Sequence, residues 1–409
     1  MKSSVLATCV LMAISQASFA TSTRVTALGG ETGMIVDDDT NIDLFPQTIN
    51  RQNFVRLSGI QTGAPDYAII TGNAGDKWGL YGGTLQENDF LNIYRSLGSD
   101  AAVKLGVRVW RHSVERTNDN HEAVVSKSES KNSYVDLALD GTYGVSKGER
   151  ELAGKIVLAY GPNSINAISG VGRVGTFEAS QTNGVTTTTA DGEGNNFALL
   201  AAAFVRQPMQ MAMFSKVYGA GLFSYLSQSS SFSSGSVKAE DTSGSTITLA
   251  GNVLFFDEKK IADNTQVFYG LGGGASISNF KSKDKVTAGE SKTNIFRLSG
   301  PQIRLGLESD INYGKLRFGI ARGIDILNYN SQARTEAPRV GAANDTNSTK
   351  TFDFIGNGVY AFSAGYGVEY KHLKVDITLM NDIWVKGPQK LFSSAAGPLG
   401  GEASVIYTY

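Results

Sequence analysis

Along most of the chain, apolar residues alternate with polar or small ones at a period of two, in stretches of about ten residues. From Ala101 to Trp110, Val103, Leu105, Val107 and Val109 share one face, while Lys104, Gly106 and Arg108 share the other. The same rhythm sets Val135, Leu137, Leu139 and Tyr143 against Asp136, Asp140 and Thr142, and Ile156, Leu158 and Tyr160 against Lys155. About ten residues of tilted, extended chain cross a bilayer, so this dyad pattern predicts membrane-spanning strands. No window after residue 20 offers the roughly 18 apolar residues that a spanning helix needs.

The connections sharpen that reading. Short links are predicted at Ser146 to Arg150, Arg206 to Met209, Asp257 to Asp263, Asp310 to Gly314 and Tyr370 to His372. Between them lie long polar stretches, predicted as loops: 111–131, 161–194, 228–243, 281–292, 328–350 and 387–400. A soluble sandwich has short turns at both ends, whereas an outer-membrane barrel alternates tight turns with long loops. Strand pairs near 101–112 and 132–145, 151–161 and 195–206, 210–226 and 244–256, 265–279 and 294–309, 314–327 and 351–370, and 373–386 and 401–409 make about twelve strands. A hairpin from Asp66–Thr71 and Lys77–Gly82 raises this to about fourteen. The predicted fold is therefore all-β: a transmembrane antiparallel up-and-down barrel of about fourteen strands.

In the last stretch Ala403, Val405, Tyr407 and Tyr409 alternate with Glu402, Ser404, Ile406 and Thr408. This resembles the C-terminal signal that the outer-membrane assembly machinery recognises, so that machinery and outer-membrane lipid are expected partners. Trp78, Tyr143, Tyr160, Tyr370, Trp384 and Tyr407 sit near strand ends, where interfacial aromatic girdles form.

Composition agrees: 47 Gly, 16 Tyr and 20 Phe suit many strands, and a net charge of −1 gives no support to nucleic-acid binding. Lys2, the apolar run Val5 to Ile14 and Ser18-Phe19-Ala20 read as a signal peptide over residues 1–20, cleaved before Thr21. The single cysteine, Cys9, lies inside it, so disulfides and thiolate metal sites are excluded from the mature chain.

After Thr21 comes Arg24-Val25-Thr26-Ala27-Leu28-Gly29-Gly30, then Asp37-Asp38-Asp39-Thr40-Asn41-Ile42-Asp43-Leu44-Phe45-Pro46. This resembles the start of FadL-type proteins, the long-chain fatty-acid transporter superfamily. In that family a small-residue segment with a Gly-Gly pair precedes paired Asp and an aromatic-Asn-Pro-Ala sequence. Here Gly29-Gly30 and the Asp run match, and Leu44-Phe45-Pro46-Gln47 stands in the last place. The resemblance implies a hatch over residues 21–51, carrying Arg24, Gly29, Gly30, Asp37, Asp38 and Pro46, inside a barrel of residues 52–409. It also implies that ligand passes through a gap in the wall. From the residues alone, glycines and Pro46 permit a compact irregular plug or a periplasmic arm. The run Asp37-x-Asp39-x-Asn41-x-Asp43 has the alternating oxygens of a calcium loop. It lacks that loop's glycine (Ile42) and bidentate glutamate (Thr48), so it reads as a hydrogen-bonded acidic turn.

On the inward face, antiparallel pairing is predicted to set Arg108 near Asp136 and Lys104 near Asp140, with Lys155 brought to Asp140 by the following turn. Such a ladder either orients polar solutes in a pore or stiffens a polar interior. An enzyme is not expected. His112 and His121, near Glu115, Asp119 and Glu122, form the one candidate cluster and read as a solvated loop. The run Gly270 to Gly274 lacks the βαβ context of a nucleotide loop, so no cofactor is expected. The expected function is passage of small hydrophobic molecules through a plugged barrel in the cell outer membrane. The alternatives are a general porin and a structural or secretion-associated barrel.

Overall fold

The computed structural model describes residues 23–30, 33–36, 38–58, 66–83, 91–120, 126–161, 176–183, 186–211, 213–234, 237–284, 289–335, 346–354, 359–379 and 401–409. Strands β1 (Phe54–Ser58), β2 (Asp66–Asn73), β3 (Asp76–Gly83), β4 (Leu91–Ser96), β5 (Ala101–Asn120) and β6 (Ser126–Lys147) pair in order. β7 (Arg150–Tyr160) and β8 (Thr176–Asn183) lie end to end between β6 and β9 (Thr186–Pro208). β10 (Lys216–Ser234), β11 (Val237–Ala262), β12 (Thr265–Asp284) and β13 (Glu290–Ile311) follow. β14 (Gly314–Gly323) and β15 (Asp325–Thr335) share the next wall position, and β17 (Val359–Tyr370) and β16 (Thr346–Phe354) the one after. β18 (Leu373–Leu379) pairs with β19 (Gly401–Thr408), which closes on β1. The result is a closed antiparallel barrel of 16 strands.

The count exceeds fourteen because β1 and β4 join the wall. In β1 both Phe54 and Val55 are apolar, which hides the period of two. Phe54 turns inward and is buried against the N-terminal segment, while Val55 is 41% exposed. β4 alternates correctly but spans only six residues.

Short connections gather on one rim, called lower below: 74–75, 97–100, 148–149, 209–215, 263–264, 312–313 and 371–372. The link after Arg206 is longer than expected. Met209, Met211 and Met213 alternate with Gln210 and Ala212 and so imitate a strand, yet β10 begins only at Lys216. The polar stretches expected as loops also differ: pairing of 115–120 with 126–131, 190–194 with 230–234, and 242–243 with 283–284 continues the ladder. Ser and Thr sustain β-pairing, and strands of 20 to 26 residues, such as β5 and β11, exceed the nine to eleven a bilayer takes. The stretches 162–175, 336–345 and 380–400, with Trp384, lie outside the described residues.

Side chains obey the period of two. β7 alternates exposed and buried residues along its whole length. Leu105, Val109 and Ile156 are 63%, 67% and 56% exposed on the outer face, while Lys104, Arg108 and Lys155 are buried on the inner one. Apolar outside and polar inside is the inverse of a soluble protein and the arrangement of a membrane barrel.

Candidate functional site

The N-terminal segment lies against the inner wall at the lower rim. It comprises a short helix, α1 (Thr23–Ala27), and two 3-10 turns, Asp39–Asp43 and Pro46–Asn50. Val25, Leu28, Met34, Ile35, Leu44 and Phe45 cluster with Ala153, Tyr218, Leu254, Phe256 and Phe268 of β7 and β10–β12. Ile42 and Ile49 cluster with Phe54, Ala68, Ile70, Tyr94, Ala102 and Ile406 of β1, β2, β4, β5 and β19.

The end of α1 docks on a dimple made of glycine. Gly306 and Gly319 are cross-strand neighbours on β13 and β14, and Gly365 lies close by on β17. A Cβ on Gly319 would strike the Gly29 nitrogen and the Leu28 carbonyl carbon; on Gly306 it would meet the Leu28 oxygen at 2.6 Å. On Gly365 it would meet the Ala27 Cβ at 2.5 Å. Gly29 itself has φ +61°, a conformation that favours glycine. The Ser363 hydroxyl donates to the Ala27 carbonyl (3.1 Å) and the Thr378 hydroxyl to that of Thr23 (2.5 Å).

Beside the dimple runs a buried ionic chain. Arg24 donates to both oxygens of Glu308 (3.1 and 3.2 Å), Arg317 to Glu308 Oε2 (2.5 Å), and Arg317 again to Asp376 Oδ1 (2.5 Å). Arg317 and Asp376 side chains are only 1% and 2% exposed. The other end of the segment is tied as firmly. Arg206 pairs with Glu151 and also donates to Gly33 O (2.8 Å) and Asn41 Oδ1 (3.2 Å). Arg51 reaches Glu151 Oε1 (2.7 Å), and Arg56 reaches Asp39 Oδ2 (2.8 Å). The Tyr94 hydroxyl donates to Asp43 (2.9 Å), and Asn41 Nδ2 donates to the Ile35, Val36 and Asp38 carbonyls. Asn50 bonds the turns at 74–75 and 97–100 together. Asp38 is buried, Gly30 packs beside Val25, and Pro46 opens its turn under Gly144; Asp37 lies outside the described residues.

Above this floor the inner wall divides into two sectors. On β5–β7, Lys104 Nζ and Lys155 Nζ both reach Asp140 Oδ2, at 2.9 and 3.1 Å, and Thr142 donates to Asp140 Oδ1 (3.2 Å). The register differs by two residues from that expected. Lys104 stands opposite Thr142, Arg108 opposite Ala138, and Asp136 opposite Trp110. A shift of two keeps every side chain on its face, and long side chains reach diagonal neighbours, so charge pairing does not define the register. Arg108 is buried, and the side chain of Asp136 lies outside the described residues. So do the side chains of His112, Glu115 and Asp119, and His121 and Glu122 altogether.

Along the neighbouring β9–β13 wall two inner rows are uncharged, with Arg297 in the row below them, level with Lys155. One cross-strand row runs Leu200, Ser224, Thr248, Ser278 and Ile295; the next runs Ala198, Leu226, Thr246, Phe280 and Thr293. The Thr248 and Ser278 hydroxyls bond each other at 2.9 Å. Both rows lie in or within one residue of the strands expected from sequence, but the sequence reading singled out charged inward residues and not these neutral ones.

Next to the uncharged sector the ladder is interrupted. Register shifts occur at Gly272/Gly274 between β12 and β13 and at Leu298/Ser299 between β13 and β15. β14 gives way to β15 at Ile324, whose carbonyl accepts from Gly300 N–H (2.7 Å), and Pro301 has no N–H to donate. The Gly270 to Gly274 run belongs to this wall, and a Cβ on Gly270 would sit 3.4 Å from Met34 of the N-terminal segment.

No family model and no curated protein matches the chain. Among solved structures it is similar to the transport unit of the autotransporter AIDA-I from Escherichia coli, at 9% identity and TM-score 0.27, over 76% of this chain and 90% of that one. It is also similar to the ferric yersiniabactin uptake receptor FyuA from Yersinia pestis, at 6% identity and TM-score 0.32, over 88% and 80%. A third is OmpT, an outer membrane protein of Vibrio cholerae, at 10% identity and TM-score 0.24, over 88% and 95%. At these scores the likeness goes no further than the barrel fold.

Proposed function

We propose that the chain is an outer-membrane transporter of small hydrophobic molecules, plugged at its lower rim by the segment of residues 21–51. The observation that carries this reading is the position of the wall interruption, immediately above a floor that is bonded all round. Solute entering from the long-hairpin side meets that floor and leaves sideways between β12 and β17, where Gly272, Gly274 and Pro301 thin the ladder. The uncharged rows on β9–β13 offer apolar contact with a few hydroxyls, and the lysine sector offers a polar end something to face. This is the passage that the FadL-like sequence of the segment implies. In the same reading the outer apolar face meets lipid, β19 is the strand that the assembly machinery takes up, and no chemical step is involved.

Binding of an apolar fluorescent dye to the detergent-refolded chain tests the proposal. Saturable binding, displaced by long-chain amphiphiles and weakened by Phe280→Asp, is expected. A chain that binds no dye and conducts ions steadily is an open porin instead.

A further inference from the structure

The connection between β9 and β10 is the exception on its rim. The other described connections there take two to four residues, while 209–215 takes seven. Three of the seven methionines in the whole sequence, Met209, Met211 and Met213, occupy alternate positions in it. The loop is built. Met209 N–H donates to Ser215 O (2.8 Å), Phe214 N–H closes a turn on Met211 O (3.2 Å), and the Tyr269 hydroxyl donates to Met213 O (2.9 Å). Its apolar anchor is Phe214, whose ring lies 5.9 Å from that of Tyr269 and 6.3 Å from that of Phe255.

Anchoring by Phe214 leaves Met211 and Met213 outward, 54% and 64% exposed, with Met209 half-buried beside them in sequence. A membrane rim wants apolar side chains, and elsewhere on this rim Leu97, Ile261 and Ile311 supply them. Thioethers add something Leu and Ile lack, a soft neutral donor that needs no deprotonation before it binds a metal. Soft sulfur ligands select Cu(I) over the harder divalent ions. A carboxylate bonded to the loop, Asp257, is hard and already accepts from Ser215 (2.6 Å) and Tyr269 (3.3 Å). We propose that Met209, Met211 and Met213 form a thioether site for a soft monovalent cation, Cu(I) or its analogue Ag(I), on the short-turn rim. The site is independent of the transport reading, because it lies outside the lumen and touches neither the floor nor the wall interruption.

The test uses Ag(I), which is redox-inert, on the full chain carrying Cys9→Ser so that no thiol competes. With methyl-13C methionine, the signals of Met209, Met211 and Met213 should move on substoichiometric Ag(I), while that of Met34, buried in the N-terminal segment, stays. Replacing all three by leucine keeps volume and apolarity. That variant should bind Ag(I) at least about tenfold more weakly, a change of roughly 1.4 kcal/mol. Stationary Met209, Met211 and Met213 signals, or equal affinity in the leucine variant, overturns the proposal. The spectroscopic arm needs no loop substitution, so it stands even where the variant fails to fold.

Discussion

The floor of the barrel and the uncharged sector above it are made from the same kind of strand, yet they are held by different forces. At the floor, Arg24, Glu308, Arg317 and Asp376 form a buried ionic chain, and the glycines at 306, 319 and 365 let backbone meet backbone. In the sector on β9–β13, hydroxyls and apolar groups line two rows, and the Thr248–Ser278 bond joins neutral groups. A buried ionic chain is intolerant of losing a member, because the remaining charges are left without compensation. A hydroxyl and apolar surface loses little when one member changes. In the proposed reading, the difference separates a part that must stay in place from a part that accommodates a guest.

The largest effect is expected at Glu308. Glu308→Ala removes the carboxylate that Arg24 and Arg317 share, at a cost of about 3–5 kcal/mol. The barrel should still insert, and limited trypsin should then cut at Arg24, which the intact floor protects. Undiminished protection would mean that the ionic chain does not hold the segment. Next comes Gly319→Ala, whose Cβ would strike the backbone of Leu28 and Gly29. Overpacking of this kind costs about 1–3 kcal/mol. It should release α1 while leaving the Arg206–Glu151 end docked, which exchange at the α1 amides would report. The smallest effect belongs to the other region. Thr248→Val removes one hydroxyl of a neutral pair, about 1 kcal/mol, and should leave tryptic protection of Arg24 unchanged. Loss of protection there would erase the distinction between the two regions.

The same contrast explains what could be read from sequence. On β5–β7 the uncharged inner residues that meet the N-terminal segment are small, Ala102, Gly144 and Ala153, so the period of two stays clean, and the strands, their faces and Lys104, Asp140 and Lys155 were all legible. Where large inner residues meet the N-terminal segment, both faces are apolar. Val253-Leu254-Phe255-Phe256 on β11 is a continuous run because Leu254 and Phe256 pack on the segment while Val253 is exposed on the outer side. Phe54 hides β1 in the same way. Met209, Met211 and Met213 erred in the opposite direction, alternating like a strand within a loop. The ionic partners at the floor lie far apart in sequence, 284 positions in the case of Arg24 and Glu308, and no local pattern joins them. The glycine dimple has no local signal either, since Gly306, Gly319 and Gly365 meet only once the wall has closed.

The central claim is that residues 21–51 close the lower end of the lumen. Single-channel conductance in planar bilayers tests it most directly, comparing the intact mature chain with one lacking those residues. A nearly silent intact chain and a steadily conducting deletion variant are expected. Equal conductance from the two, with both inserted, would contradict the account and put the segment outside the path.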